Sequence, residues 1–278
     1  MKNYRVRKIL AVSATYMALI VVCAIFAFPC LWLIVASFSK TGSIYSFDGF
    51  FPHSYSLDSF KDLFTDTQMY DYPRWLLNTF VIAAVSSLLS TLLVILTAFI
   101  ISRFEFRLRR HLMRGALVLS MFPSFMSMTI IFVLMTQFKM INNLWGLILI
   151  YSCTAPMGYL VQKGFFDTIP QSIYEAATMD GASNFRAFWT ITIPLAKPII
   201  VYTALTSFTW PWSDFILPKL ILQDKSMYTV AVGLMSLDET QFSRFAAGSV
   251  FIAVPIVALY FVLVKNMVSG LTAGAVKG

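Results

Sequence analysis

Residues able to do covalent or acid–base chemistry are few and scattered in this chain. Glu175 and Asp180 stand five apart, which puts them on different faces of a helix corner, with no convergent His or Cys. His53 and His111 are distant from each other, and no other metal-ligand cluster accompanies them. Cys23, Cys30 and Cys153 lie in apolar runs without a Cys-x-x-Cys spacing, which suits small apolar packing residues better than a redox or metal site. No Gly-x-x-x-x-Gly-Lys-Ser/Thr loop is present to cradle a nucleotide phosphate. A bound cofactor, a metal and catalysis by this chain are therefore not expected. The segment Glu175-Ala176-Ala177, followed by Asp180-Gly181, offers noncovalent chemistry instead. Small side chains let a helix approach a surface closely, and a glycine permits a tight corner.

The surrounding sequence is unlike that of a water-soluble domain. It is 58% hydrophobic with a mean hydropathy of +0.75, and only 12% of its 278 residues are charged, about half the usual share. No charge occurs between Lys8 and Lys40, Arg74 and Arg103, Arg114 and Lys139, Lys139 and Lys163, or Arg244 and Lys265. From Pro198 to Pro218 the only charge is Asp214. Each gap supplies about the 20 residues a helix needs to cross hydrocarbon, and the runs lack the alternation of a barrel strand. The pattern predicts an all-α, polytopic membrane protein with six spans near 10–36, 76–101, 115–137, 142–162, 196–218 and 246–267. A tight turn at 139–143 separates the third and fourth; a re-entrant hairpin there is the alternative. The first run is longer than a signal-peptide core and lacks a small-residue cleavage pattern, so it reads as a retained helix.

With six spans both termini share one side. That side holds 14 of the 21 Lys and Arg residues, five of them between 102 and 114, so it is expected to be cytoplasmic. The two histidines then fall on opposite sides. The formal charge of +8 follows from this bias and from contact with the anionic headgroups of the lipid bilayer; no nucleic-acid partner is implied.

Between spans, residues 37–75 form the longest outer loop, with an amphipathic helix expected after Ser56 or Asp58. The inner segment 163–195 predicts two short helices. Ile169-Pro170 opens the first, Asp180-Gly181 closes it, and the second starts near Ser183 and is broken or redirected by Pro194 and Pro198. Tyr174, Ala176, Ala177 and Met179 need cover, which either an internal lid or a docking knob for a cytosolic partner would provide.

The spaced pattern Glu175-Ala176-Ala177, Gly181, Ile191-x-Ile193-Pro194 resembles the EAA loop of importer-type ABC permeases; Ile193 stands where that family usually has Leu. Trp75-Leu76-Leu77-Asn78-Thr79, Gly164 to Pro170 and Trp212 to Pro218 are similar to sugar permeases of that family, with Ser213 where Asn is frequent. The ending Gly270 to Gly278 resembles the MalG-type subunit of maltose or maltodextrin importers. The resemblance implies a type I ABC importer permease fold in the bacterial cytoplasmic membrane. It also implies a homologous MalF-type permease, two cytoplasmic ATPase subunits that use ATP and Mg, and an extracytoplasmic sugar-binding protein as partners. Tyr174, Glu175, Ala176, Ala177, Met179, Asp180, Gly181 and Phe185 would then couple to an ATPase, with Phe188 adding apolar contact. Gly274 and Lys277 would reach the ATPases on a flexible tail. The implied organisation is a first helix and outer loop over 1–75, a transport core over 76–268 and a tail over 269–278.

The transport path is less legible. Ser86 and Ser90 in the second span, Ser127 in the third and Asp214 in the fifth either line a hydrated path or serve helix packing, and Asp214 can instead reach outer water. Oligosaccharides, maltodextrins first, are the expected cargo, with raffinose-type or galactan-derived sugars as alternatives. An ATP-independent secondary transporter is the rival of another class.

Overall fold

Long uncharged runs satisfy their backbone groups most simply as helix, and helix dominates the structure, a computed structural model that describes residues 2–46, 50–67, 70–153 and 156–275. No strand occurs among the described residues beyond an isolated bridge between Ser39 and Tyr55. Four helices are long and apolar enough to cross a bilayer: Arg7–Ser37, Tyr72–Arg103, Leu144–Phe166 and Glu239–Val264. Two further candidates are bent pairs, Arg109–Ser120 with Phe125–Gln137 at 105° and Asn184–Leu195 with Lys197–Ser213 at 79°. Counting each bent pair once gives the six spans expected.

The chain divides into two compact units, residues 1–70 with 236–251, and residues 71–235 with 252–278. In the first unit α1 (Lys2–Ser37) has its described residues exposed from Arg7 to Leu31, as a helix clothed by lipid would. The expected amphipathic helix is α2 (Asp58–Thr65), which buries Ser59 and Leu63 while Ser56 Oγ accepts from the Asp58 N–H at 3.0 Å. Arg244 donates twice to Asp62 Oδ2, at 3.1 and 2.7 Å, closing the unit across the sequence.

The second unit is built around α3 (Tyr72–Arg103), 32 residues and about 48 Å long. It is followed by α4 (Arg109–Ser120), α5 (Ser124–Gln137), α6 (Leu144–Cys153) and α7 (Pro156–Phe166). Next come α8 (Gln171–Met179) and α9 (Asn184–Ala187), then a π-helical turn over Phe188–Thr192 and α10 (Ile193–Leu195). The series ends with α11 (Lys197–Ser213), α12 (Ile216–Ile221), α13 (Val230–Met235) and α14 (Phe242–Ala275), which runs on from the first unit. α3 packs against α6, α7 and α11. Its inward face uses small residues, among them Ala83, Ser86, Ser87, Ser90 and Ala98, which let helices come close without hydrophobic drive in lipid.

Three expectations need correction. The third span is not one helix: Pro123 has φ −58° and ψ 132°, outside the helical region, and splits 115–137 at the 105° bend. The missing N–H and the ring's clash with the preceding turn explain the break. The fifth span stops at Ser213, because Asp214 is extended (ψ 118°), and α12 begins beyond it. Pro194 does not interrupt its helix; it sits in the first turn of α10, Pro198 sits in that of α11, and the chain turns between them at buried Ala196. The expected turn at 139–143 is present, with Lys139 and Asn142 left-handed (φ 56° and 58°). Asn142 holds it by donating its N–H to the Ile221 carbonyl at 2.9 Å and accepting from the N–H groups of Gln223 and Asp224.

Residues 75–79 fasten the N-terminal end of α3. The Trp75 indole N–H donates to the Lys225 carbonyl at 2.8 Å, and Asn78 Nδ2 donates to the carbonyls of Ser226 and Tyr228. The Thr79 hydroxyl accepts from the Val230 N–H at 2.8 Å. Trp75 lies flat against Gly233, where an added Cβ would stand 2.1 Å from the ring. Gly233→Ala is therefore expected to destabilise the detergent-solubilised protein by about 1–3 kcal/mol in thermal unfolding. Gly115→Ala, at a position open to 4 Å, serves as control; equal midpoints for the two variants would contradict the packing described.

Candidate coupling site

The segment from α8 to α10 has one face turned into its own unit and one face uncovered. α8 ends in a Schellman arrangement: Gly181 N–H donates to Thr178 O at 3.0 Å and Ala182 N–H to Ala177 O at 2.9 Å. That closure requires positive φ, and Gly181 has φ 80°. Ser183 then opens α9 by accepting from the Arg186 N–H at 3.3 Å, the start expected from sequence.

The buried face carries Tyr174 and Phe188, 8% and 3% exposed. Both belong to a core with Ile95, Ala98, Phe99, Phe166 and Ile169, and the Phe99 and Phe188 rings are 4.9 Å apart. The Tyr174 hydroxyl shares a 2.7 Å hydrogen bond with the Thr192 hydroxyl. The π-helical turn brings both Phe188 and Thr192 to this buried side. Tyr174 and Phe188, expected as contacts for another subunit, are thus occupied within the chain, because their rings are the apolar material that seats the segment on α3.

Arg103, the last residue of α3, completes the seat. Its guanidinium lies 3.9 Å from the Tyr174 ring centroid. It donates to the carbonyls of Phe166 and Ile169 and to Gln171 Oε1, tying the turn between α7 and α8 to the end of α3. Beside it, the Ser102 hydroxyl donates to Asp167 at 2.7 Å and Lys163 forms an ion pair with the same carboxylate. Burial pushes the Asp167 carboxyl up, but the Lys163 ammonium and the Ser102 hydroxyl outweigh it and hold it below its ordinary value. In the sequence Arg103 is one of a basic cluster, and the signal for its role is that it is the charge that directly ends the run 75–102.

The uncovered face carries Glu175, Ala176, Asp180 and Gly181, with Ala177 half-buried. Met179 is 89% and Phe185 74% exposed, large apolar groups that water covers poorly. Glu175 also lines a 250 Å³ cavity with Arg103, Tyr174 and Asn184. The expected coupling residues are thus gathered on one corner, Tyr174 excepted.

The four path residues are not gathered. Ser86 and Ser90 are buried on α3, Ser90 lying 3.5 Å from the Ser207 hydroxyl of α11 and the Ser86 hydroxyl having no hydrogen-bond partner among the described residues. Neighbouring Ser87 donates to the Ala204 carbonyl at 2.8 Å. Ser127 is half-buried on α5. Asp214 accepts from the Tyr151 hydroxyl at 2.8 Å just past the end of α11. Buried Gln162, whose Nε2 donates to Ile199 O and Thr203 Oγ1, joins α7 to α11 and was not singled out from sequence. Gly270–Ala275 continue the helix of α14, so Gly274 is helical where a flexible tail was expected. Lys277 lies outside the described residues.

Replacing Arg103 by Ala removes charge-assisted bonds to two carbonyls, each worth about 1.5–3 kcal/mol, together with the cation over Tyr174. Limited proteolysis should then cut within 167–190 at least several-fold faster than in the unaltered protein, with Tyr174→Phe intermediate. Unchanged cleavage would refute the seating role.

Comparison with known proteins agrees with this architecture. The chain is 36% identical, over 99% of its own length and 99% of the relative's, to the maltodextrin transport system permease protein MalD of Streptococcus pneumoniae. It is equally identical, with the same coverage, to the galactooligosaccharides transport system permease protein GanQ of Bacillus subtilis. A crystal structure of a bacterial ABC transporter involved in import of the acidic polysaccharide alginate matches the fold with a TM-score of 0.75 at 19% identity, covering 93% of this chain and 96% of the other. Residues 93–272 match the model of binding-protein-dependent transport system inner membrane components, and with relatives this similar end to end, the chain belongs to that family of ABC importer permeases.

Proposed function

We propose that this chain is one permease subunit of an ATP-driven importer of oligosaccharides, most directly maltodextrins, and that the corner formed by α8, Gly181 and α9 is its coupling element. The carrying observation is the two-faced segment. Arg103, Tyr174 and Phe188 bind one face to the spanning helix α3, while Met179 and Phe185 leave the other uncovered. A socket on an ATPase subunit that closes over Met179, Phe185, Ala176 and Glu175 would move α3 with it. Such coupling needs the partner to engage the two states unequally.

On this reading the Arg-rich side and both termini face the cytoplasm. Two ATPase subunits bind ATP and Mg there, this chain holding no cofactor and doing no covalent chemistry. A MalF-type permease completes the pore, and an extracytoplasmic binding protein delivers sugar. Ser127 and Asp214 stay assigned to the path, whereas the burial of Ser86 and Ser90 supports helix packing. The tail residues Gly274 and Lys277 are assigned to the ATPase side. Galactooligosaccharides form the second reading of the cargo, supported by the equal identity to a permease named for them.

The test is ATP hydrolysis by the purified transporter, reconstituted with its binding protein, across maltodextrins and galactooligosaccharides. The stimulating sugar names the cargo. Gly181→Pro fixes φ near −65° where +80° is required and removes the N–H bonded to Thr178 O. Glu175→Lys reverses a charge on the uncovered face. Both should lower stimulated hydrolysis and uptake about tenfold or more with sugar capture by the binding protein unchanged. Hydrolysis and uptake indifferent to both substitutions would refute the coupling assignment.

A further inference from the structure

Helix α4 carries a second site, unrelated to the coupling corner. None of its residues is buried, although it follows directly on the end of α3. With the loop before it, α4 encloses a cavity of about 560 Å³ lined by Arg107, Arg109, Arg110 and Arg114. Glu105 is the one carboxylate in the lining, against four guanidinium groups. Arg109 is half-buried and its charge acts on Asp167. Arg107, Arg110 and Arg114 are exposed and have no ion-pair partner among the described residues. One carboxylate does not balance four guanidinium groups, and these like charges repel one another, so an anion that bridges them is bound with gain.

The remaining lining and the continuation of the helix specify the rest of the ligand. Phe106, Met113 and Leu117 supply apolar wall. Beyond them Val118, Leu119, Met121 and Phe122 are exposed in sequence, Met121 at 81%. A basic cavity that opens along one helix onto an apolar strip fits a molecule with an anionic head and a hydrocarbon tail. A soluble phosphate or an acidic peptide would use the arginines and leave the strip uncovered. The position also fits: α3 is about 48 Å long, more than the roughly 30 Å of hydrocarbon, so its Arg103 end and the loop that follows reach headgroup depth.

We infer that Arg107, Arg110 and Arg114, with the apolar strip Leu117–Phe122, form a binding site for an anionic phospholipid such as phosphatidylglycerol. The headgroup phosphate lies among the guanidinium groups and the acyl chains lie along the strip. Each arginine near an anionic surface strengthens association roughly fivefold.

Photoactivatable phosphatidylglycerol and phosphatidylcholine, each with the reactive group on the acyl chain, test this in nanodiscs that hold the transporter with the subunits that copurify. Labelled peptides are mapped by mass spectrometry. Phosphatidylglycerol should label residues 113–122 several-fold more than phosphatidylcholine. The pair Arg110→Gln and Arg114→Gln should reduce that labelling about tenfold, and the pair Arg110→Lys and Arg114→Lys should retain most of it. Inorganic phosphate at tens of millimolar should not displace the lipid beyond the effect of equal ionic strength. Equal labelling by the two lipids, specific displacement by phosphate as at a free-anion site, or absence of labelling because another subunit covers the strip would each overturn the inference.

Discussion

Helix α3 is held at both ends by buried polar bonds to sequence far from it, and the second unit depends on that double attachment. At one end the indole of Trp75, the amide of Asn78 and the hydroxyl of Thr79 hold the backbone of 225–230. At the other, the guanidinium of Arg103 takes up the carbonyls that close α7. Backbone groups that leave regular helix near lipid must find partners inside the protein. These four side chains supply them, which ties the irregular segments at both ends to the same spanning helix.

Buried rings such as Trp75, Phe99, Phe166 and Phe188 fill parts of the second unit, and small polar side chains fasten the helices between them. Ser87 and Ser90 let α3 approach α11 closely, and Gln162 bonds α7 to the Ile199 carbonyl and the Thr203 hydroxyl. Such contacts are each small in lipid.

The breaks in the spans carry as much of the design as the spans. Pro123 turns the chain through 105°, Ala196 through 79°, and Asp214 ends α11 with its carboxylate bonded to Tyr151. The first bend turns α4 away from the line of α5, and α4 packs against α7 with none of its own residues buried. The second sets α10 and the π-helical turn so that Thr192 faces Tyr174.

From sequence alone, the uncharged runs determined an all-α membrane protein with six crossings, since each run matches a bilayer and no other solvent tolerates it. Pro170, Gly181 and Ser183 determined the two-helix corner, because a proline start, glycine's left-handed conformation and the serine cap are local properties. The tertiary structure decided which side of that corner each residue serves. Tyr174 and Met179 are both large and apolar, and nothing in their types says that one stacks under Arg103 while the other stays uncovered; the π-helical turn and the end of α3 set that difference. Likewise Pro123 reads equally as a kink or a break until neighbouring helices fix the angle, and Ser90 reads as path or packing until α11 is in place. Local chemistry fixes elements and caps, whereas long-range partners separated by 60 to 150 residues fix which faces are spent on the fold and which are left for binding.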